Sequence, residues 1–284
     1  MVPLIVKKLI PDKVYLQLMY YHHNRRFINF RKPQSFSEKQ QWLKLYNRKP
    51  EYTIMADKYA VRKYIEEVIG KQYLVPLVGG PWNCSDEIDI SRLPEQFVLK
   101  CSNGHGVEIC SQKDKFDFEA AKKRLEKSLR NNLFWYGREW PYKNSKSCII
   151  AEEYLGNDAI DYKFYCFNGA PKYLFIVTNR FQPNGPNGDY FDMNGNHLKV
   201  RDIEFYNNPT PNSLLPSSFE EMKTIAQKLS QGIPFVRIDL YERKEKPIFG
   251  EITFFDSSGF SKFDQPDFDY ELGRLIKLPE KKYN

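Results

Sequence analysis

Apolar and polar side chains alternate most regularly near the end of the chain. There Phe-Val-Arg-Ile-Asp-Leu-Tyr (235–241) and Pro-Ile-Phe-Gly-Glu-Ile-Thr-Phe-Phe (247–255) flank a charged turn over 242–246. Side chains on a strand change face every residue. Val236, Ile238 and Leu240 therefore form one apolar face, and Phe235, Arg237, Asp239 and Tyr241 the other. The same spacing aligns Phe249, Glu251 and Thr253 on one face, opposite Ile248, Gly250 and Ile252. Paired as a hairpin, the two strands bring Asp239, Glu251 and Arg237 together.

The rest of the chain alternates between helical and strand spacing. Ser35 or Ser37 caps a helix that carries Trp42, Leu43, Leu45 and Tyr46. Asp57 opens a second helix with the stripe Val61, Ile65, Val68 and Ile69, closed by Gly70. Residues 75–82 read as a Pro/Gly-rich link, and 97–110 as a hairpin around a glycine-containing turn. A charged helix is predicted over 115–131, strands over 149–155, 161–167 and 173–178, and a further helix over 220–231. Residues 181–212 are rich in Asn, Pro and Gly and read as a long loop of the kind that carries function. Clustered strands with helices between them define an α+β class.

Composition narrows the setting. With 284 residues the chain can bury a sizeable core. No run of 18 apolar residues occurs, so no transmembrane helix is expected, and Met1–Ile10 lacks a small-residue cleavage site for a leader. Five scattered cysteines form neither CxxC nor CxxH, which argues for a reduced, cytoplasmic compartment without a zinc site. The net charge of +7 is concentrated between Lys7 and Lys49, where Lys, Arg, Tyr and Phe interleave. That mixture suits an anionic membrane surface, an acidic polymer or nucleic acid, or else a solvated helical face whose aromatics enter the core. No nucleic-acid motif accompanies it.

Four sites carry candidate chemistry. Two carboxylates and an arginine on the final hairpin suit a divalent cation with an anionic ligand, the alternative being an ion pair on a solvated sheet. Lys58 lies in a helix's first turn, where the N-terminus is already positive, so a bound phosphate would resolve the conflict. A free surface lysine is the alternative. Lys100 precedes Cys-Ser-Asn-Gly-His-Gly (101–106), whose glycines free backbone N–H groups for phosphate or else make an ordinary hairpin turn. Glu152 and Glu153 end an apolar strand, where they face either a cleft or solvent.

The order of these signals resembles the ATP-grasp superfamily, and the chain is similar to its TupA-like family, named for a teichuronopeptide biosynthesis protein. The likeness runs through Lys-Leu-Ile-Pro-Asp-Lys (8–13), Phe-Ser-Glu-Lys-Gln-Gln-Trp-Leu-Lys-Leu-Tyr (36–46), Ala-Asp-Lys-Tyr-Ala-Val-Arg (56–62), Tyr-Gly-Arg-Glu-Trp-Pro-Tyr (136–142), Asp-Tyr-Lys-Phe-Tyr-Cys-Phe-Asn-Gly (161–169) and Tyr-Glu-Leu-Gly (270–273). The resemblance implies an ATP-grasp fold, with ATP between two α+β subdomains of a catalytic region over 76–284 that forms a single compact unit, after a helical, basic segment over 1–75 that holds the start of the ATP-grasp region. It implies that Lys58 and Lys100 hold the α- and β-phosphates and that the turn Asn103, Gly104, His105, Gly106 closes as a lid. Glu152, Glu153, Tyr154 and Leu155 would bind adenine, and Asp161 the ribose. Asp239 and Glu251 would hold Mg²⁺, with Thr253 where many relatives have asparagine. Arg237 and Arg180 would steady the transferred phosphoryl group, and Lys163 shares the face of Asp161.

The implied reaction joins a carboxylate to an amine through an acyl phosphate. The family's setting suggests an acidic sugar or glycan precursor of a surface polysaccharide as the carboxylate, and an amino acid or other amine as its partner. A sugar kinase or a glycosyltransferase using the same cleft is the alternative.

Overall fold

The computed structural model describes residues 4–156, 159–180 and 185–280. Helices α1 (Leu4–Leu9), α2 (Asp12–Asn24), α3 (Phe36–Tyr46), α4 (Glu51–Ala56) and α5 (Val61–Val68) open the chain. A four-stranded sheet follows, built from β1 (Leu77–Trp82), β2 (Phe97–Cys101), β3 (Val107–Cys110) and β4 (Ile149–Glu153) in the order β1-β4-β2-β3. Helices α6 (Phe118–Arg130) and α7 (Phe134–Gly137) lie between β3 and β4 in sequence. The second sheet holds β5 (Asp161–Phe167), β6 (Ala170–Thr178), β7 (Asn187–Asp192), β8 (Phe235–Arg243) and β9 (Lys246–Thr253), ordered β7-β6-β5-β8-β9. Helix α8 (Phe219–Leu229) precedes β8, and α9 (Pro266–Leu275) follows β9.

Local chemistry explains the clearest elements. Ser35 Oγ accepts the Glu38 N–H and the Glu38 carboxylate accepts the Ser35 N–H, a capping box that fixes the start of α3. Asp57 accepts the N–H groups of Tyr59 and Ala60, and α5 begins at Val61, four residues after the aspartate. Lys58 thus sits in the capping turn ahead of the regular helix. Lys244 and Glu245 both have positive φ, 51° and 60°, as a two-residue hairpin loop requires.

The five-stranded sheet is covered on both sides. Tyr162, Phe164, Ile238 and Leu240 share a core with Met222, Ile225, Ala226 and Leu229 of α8. On the opposite face Phe36 of α3 meets Phe235 edge-on, with ring centroids 4.7 Å apart. Residues of α2, α3, α4 and α5 join this large core, whereas the smaller core spans Ile88 to Ala151. The region 76–284 therefore contains two cores; α2 to α5 join the core of the second sheet, whereas α1 contacts α7.

Three expectations change. The Pro/Gly-rich link at 75–82 contains strand β1, whose pairing with β4 shifts register twice. The loop expected over 181–212 contains β7, paired along β6 from Tyr173↔Asp192 to Thr178↔Asn187, although 181–184 lie outside the described residues. Phe249 does not share a face with Glu251. Asp239 opposes Glu251 but Leu240 opposes Phe249, so Gly250 is the extra residue of a β-bulge that returns Phe249 to the apolar face. An added Cβ at Gly250 would lie 2.9 Å from the Asp239 carbonyl oxygen, which is why the bulge takes glycine.

Candidate active site

A cavity of about 770 Å³ opens between the two sheets. One wall comes from Val98 and Lys100 of β2, Val107 and Ile109 of β3, and Glu152 and Glu153 of β4. Asp161 and Lys163 of β5, Asp239 and Tyr241 of β8, and Gly250 and Glu251 of β9 form the other. Tyr154, Leu155 and Gly156 line it from the connection between the sheets, and Lys58 enters from the turn before α5.

Strand register assembles the polar centre. Lys163 opposes Asp239 and Tyr165 opposes Arg237 across β5 and β8. Asp239 opposes Glu251 and Arg237 opposes Thr253 across β8 and β9. Opposed residues share a face with Cβ atoms about 5 Å apart, so one sheet surface gathers all six. Arg237 donates from Nε and Nη2 to the two Asp239 oxygens at 2.7 Å each, and from Nη1 to Asp256. Lys163 Nζ donates to Asp239 Oδ2 at 2.8 Å. Tyr165 and Ser261 donate to the far oxygen of Asp256 at 2.7 and 2.9 Å. Burial alone would lower the Arg237 pKa, but Asp239 and Asp256 raise it well above its ordinary value.

The other cations are also held by acids. Lys100 Nζ meets Glu152 Oε2 at 2.6 Å, while Arg62 takes Oε1 at 3.1 Å. Lys58 Nζ donates to the Gly104 carbonyl at 3.0 Å and lies 3.3 Å from Glu251. Burial works against ionisation of Glu251, yet Lys58, Arg237 and Lys163 hold it well below the usual carboxylate range. Arg180 pairs with Asp161 at 3.1 Å. Four cationic side chains and five carboxylates line the cavity, so an anion entering it needs additional positive charge.

Asp239 and Glu251 can supply part of that charge through a metal. Their oxygens are hard donors, and a Mg²⁺ that also binds phosphate takes only one or two carboxylates. The Glu251 side chain is 38 % exposed, so its carboxylate is reachable from the cavity. Among the described residues no group of three His, Cys, Asp or Glu side chains is arranged to hold a metal by itself. A two-carboxylate site completed by phosphate oxygens and water therefore fits this donor set.

Eleven of the expected residues line the cavity: Lys58, Lys100, Glu152, Glu153, Tyr154, Leu155, Asp161, Lys163, Arg180, Asp239 and Glu251. Arg237 and Thr253 are in direct contact with lining residues: Arg237 binds Asp239, and the Thr253 hydroxyl donates to Glu251 Oε1 at 3.3 Å. The Asn103 side chain donates to Ser145 at 2.7 Å, and Gly106 packs against Ser128 and Cys101. In the turn 102–106 only His105 is exposed. The Glu152 carboxylate is occupied by Lys100 and Arg62, which makes it a counterion rather than a free acceptor.

Asp256, Val107 and Ile109 were not singled out by the sequence. Asp256 has no periodic relation to Arg237, and nothing in the sequence marks the pair. Val107 and Ile109 are exposed apolar residues two apart on β3, so strand alternation did offer a signal for that wall.

Residues 38–277 match the profile of the family described as TupA-like ATPgrasp. Among curated proteins none matches. Among solved structures, D-alanine–D-alanine ligase from Helicobacter pylori is 16% identical, covers 86% of this chain and 70% of its own, and has a TM-score of 0.47. For the L-amino acid ligase from Bacillus licheniformis the values are 15%, 78%, 49% and 0.46. For D-alanine–D-alanine ligase from Bacillus anthracis complexed with ATP they are 14%, 71%, 55% and 0.39. The chain thus spans about half the length of the last two. Likenesses this loose carry no argument about the site.

Proposed function

The chain belongs to the TupA-like ATP-grasp family, and from that premise we propose that it is an ATP-dependent ligase joining a carboxylate to an amine. The observation that carries the reading is the cavity between the sheets, where four cationic side chains, two opposed carboxylates and an apolar wall meet. Val98, Val107, Ile109 and Leu155 enclose a flat, apolar base, and Glu153, Tyr154 and the backbone beside them accept its polar edge. Asp161 holds the ribose hydroxyls. Lys100 and Lys58 take the α- and β-phosphates, each aimed by the acid it already touches. Asp239 and Glu251 hold Mg²⁺, which when bound screens the charge on the phosphoryl group in transfer.

Attack of a carboxylate oxygen on the γ-phosphorus releases ADP and turns a poor acylating agent into an acyl phosphate; the amine then attacks the acyl carbon, displaces inorganic phosphate and loses a proton to give the amide. Arg237 is preoriented for such a charge: two carboxylates fix its guanidinium, so little reorganisation is needed as charge develops. Lys163 and Arg180 border the same end of the cavity. Substrates filling the cavity would displace the water that could hydrolyse the activated carboxylate. By analogy with the family's namesake, the carboxylate belongs to an acidic sugar or glycan precursor and the amine to an amino acid.

The test is product analysis with ATP and panels of acidic sugars and amines. Release of ADP and inorganic phosphate, and a hydroxamate when hydroxylamine replaces the amine, are expected. A stable phosphosugar would make the protein a kinase. Turnover of a nucleotide sugar without ATP cleavage would make it a glycosyltransferase.

A further inference from the structure

Helix α2 has two apolar faces, and only one of them is used. Tyr15, Leu16 and Tyr20 point into the core, where the Tyr20 hydroxyl meets Ser37 at 3.1 Å and His23 stacks on Phe260 at 4.2 Å. Val14, Leu18 and Tyr21 recur at i, i+4 and i+7 on the opposite side of the helix and remain 49, 54 and 44 % exposed. Phe27 extends that stripe: it is 62 % exposed and stacks on Tyr21 with centroids 4.9 Å apart. Leu9, at the end of α1, is 80 % exposed. A contiguous exposed apolar patch on a surface helix marks an interaction surface.

The charge around this stripe identifies what it meets. Residues 1–33 carry seven lysines and arginines against one aspartate, a net +6 out of +7 for the whole chain. That aspartate, Asp12, is already paired with Arg48 and Arg138. Lys8, Lys13, Arg25, Arg31 and Lys32 of this same segment are exposed. Lys8 also lies over the ring of Trp135, 5.6 Å from its centroid. A glycan or nucleic acid would use the charges and the ring faces but gain nothing from Leu9, Val14 and Leu18. Aliphatic side chains in a row, aromatics at their edge and a basic surround suit the boundary between headgroups and acyl chains of an anionic bilayer.

We infer that α1 and α2 form a docking surface for an anionic membrane, with the Val14–Leu18–Tyr21–Phe27 stripe entering the interface. Among the described residues no helix is long and apolar enough to cross a membrane, so the association lies in the plane of the surface. The inference does not depend on the chemistry of the cleft.

Flotation of the whole protein with phosphatidylcholine vesicles, with and without phosphatidylglycerol, tests it. The protein should float with the anionic vesicles and stay behind with the neutral ones. The double variant Leu18→Glu and Phe27→Glu, at two exposed positions, should lower the partition by about tenfold or more. Arg25→Gln with Arg31→Gln should lower it by roughly fivefold for each cation removed. The inference is overturned by no flotation of the wild type, equal flotation with neutral vesicles, or undiminished flotation of the Leu18/Phe27 variant. A wild-type dimer that the same variant dissolves would instead make the stripe a contact between two copies, and would also overturn it.

Discussion

Replacing Glu251 by glutamine should separate folding from metal binding. The side chain is 38 % exposed and its ionic partners are Lys58 at 3.3 Å and Arg237 at 3.6 Å. Pairs this open to solvent contribute about 0–1 kcal/mol, which in a chain of this size moves Tm by no more than about 4 °C. Glutamine keeps an oxygen for the Thr253 hydroxyl. The cost to the metal is of another order. Loss of one of two protein ligands should reduce metal affinity by at least the 10- to 100-fold (about 1.4–2.7 kcal/mol) typical of losing a mere supporting contact. The assay is calorimetric titration with a non-hydrolysable ATP analogue, once with Mg²⁺ and once with a chelator. Wild type should bind more tightly with Mg²⁺, and the variant should lose most of that gain. With the chelator the variant should bind as well as wild type or better, because a negative charge beside the triphosphate has gone. An intact Mg²⁺ enhancement in Glu251→Gln would refute the metal site, and an equal loss with the chelator would mean that Glu251 serves the nucleotide by another route.

Lys100→Ala should weaken binding of the same analogue by roughly 10- to 100-fold, the range for losing one charge-assisted hydrogen bond; since Arg62 still neutralises Glu152, a wild-type affinity would remove Lys100 from the phosphate site. Hydrogen exchange at Gly104, His105 and Gly106 should slow when nucleotide binds, whereas Ser102, whose N–H is already bonded to the Cys148 carbonyl at 2.8 Å, should be slow in both states. Equal exchange with and without nucleotide would make the turn a rigid structural element. Burial pushes the Asp202 carboxyl up to about 7, above its usual value. The unfolded chain therefore loses this proton first, and Asp202's contribution to stability is complete below about pH 4 and lost as the pH rises towards 7. Asp202→Asn should match wild type in thermal melts near pH 4 and exceed it near pH 8 by up to about 4 kcal/mol; a constant difference across that range would mean that Asp202 does not titrate there.

Much of this site was legible because it depends on local periodicity. The facing of Arg237 and Asp239 follows from counting by two along one strand, and the start of α3 from the Ser35–Glu38 box. The failures have a common cause in pairing partners that are distant in sequence. Counting by two broke at Gly250, because a bulge is a property of two strands together and the single sequence shows only a glycine. Strand β1 was hidden by Gly79, Gly80 and Pro81, residues that weaken or interrupt a sheet unless a neighbour accommodates them; β4 does so through two register shifts. Strand β7 reads Asn-Gly-Asp-Tyr-Phe-Asp, too polar to stand out. Its polar centre, Asp189, is fully buried and satisfied by His197, Asn207 and Asn208, which come from later in the chain.

The pairing of every cation in the cleft bears on how such a site is built. Three lysines converging on one cavity would repel one another and would move apart if only solvent surrounded them. Here each is fixed by a carboxylate behind or beside it: Lys100 by Glu152, Lys58 by Glu251, and Lys163 by Asp239. Two of those acids have a second cation in reserve, Arg62 for Glu152 and Arg237 for Asp239. Lys100 and Lys163 can therefore turn to an incoming phosphate without stranding a buried charge, which would otherwise be strongly destabilising. Glu251 differs. It is the more exposed of the two opposed carboxylates, and its close partner is the single lysine Lys58 at 3.3 Å, with Arg237 at 3.6 Å. Were Lys58 to turn to phosphate, Glu251 would keep only Arg237, which Asp239 and Asp256 already engage, and a divalent ion arriving with the nucleotide would restore the lost charge. In the proposed reading, metal and nucleotide therefore bind as one unit, because each restores the charge balance that the other disturbs.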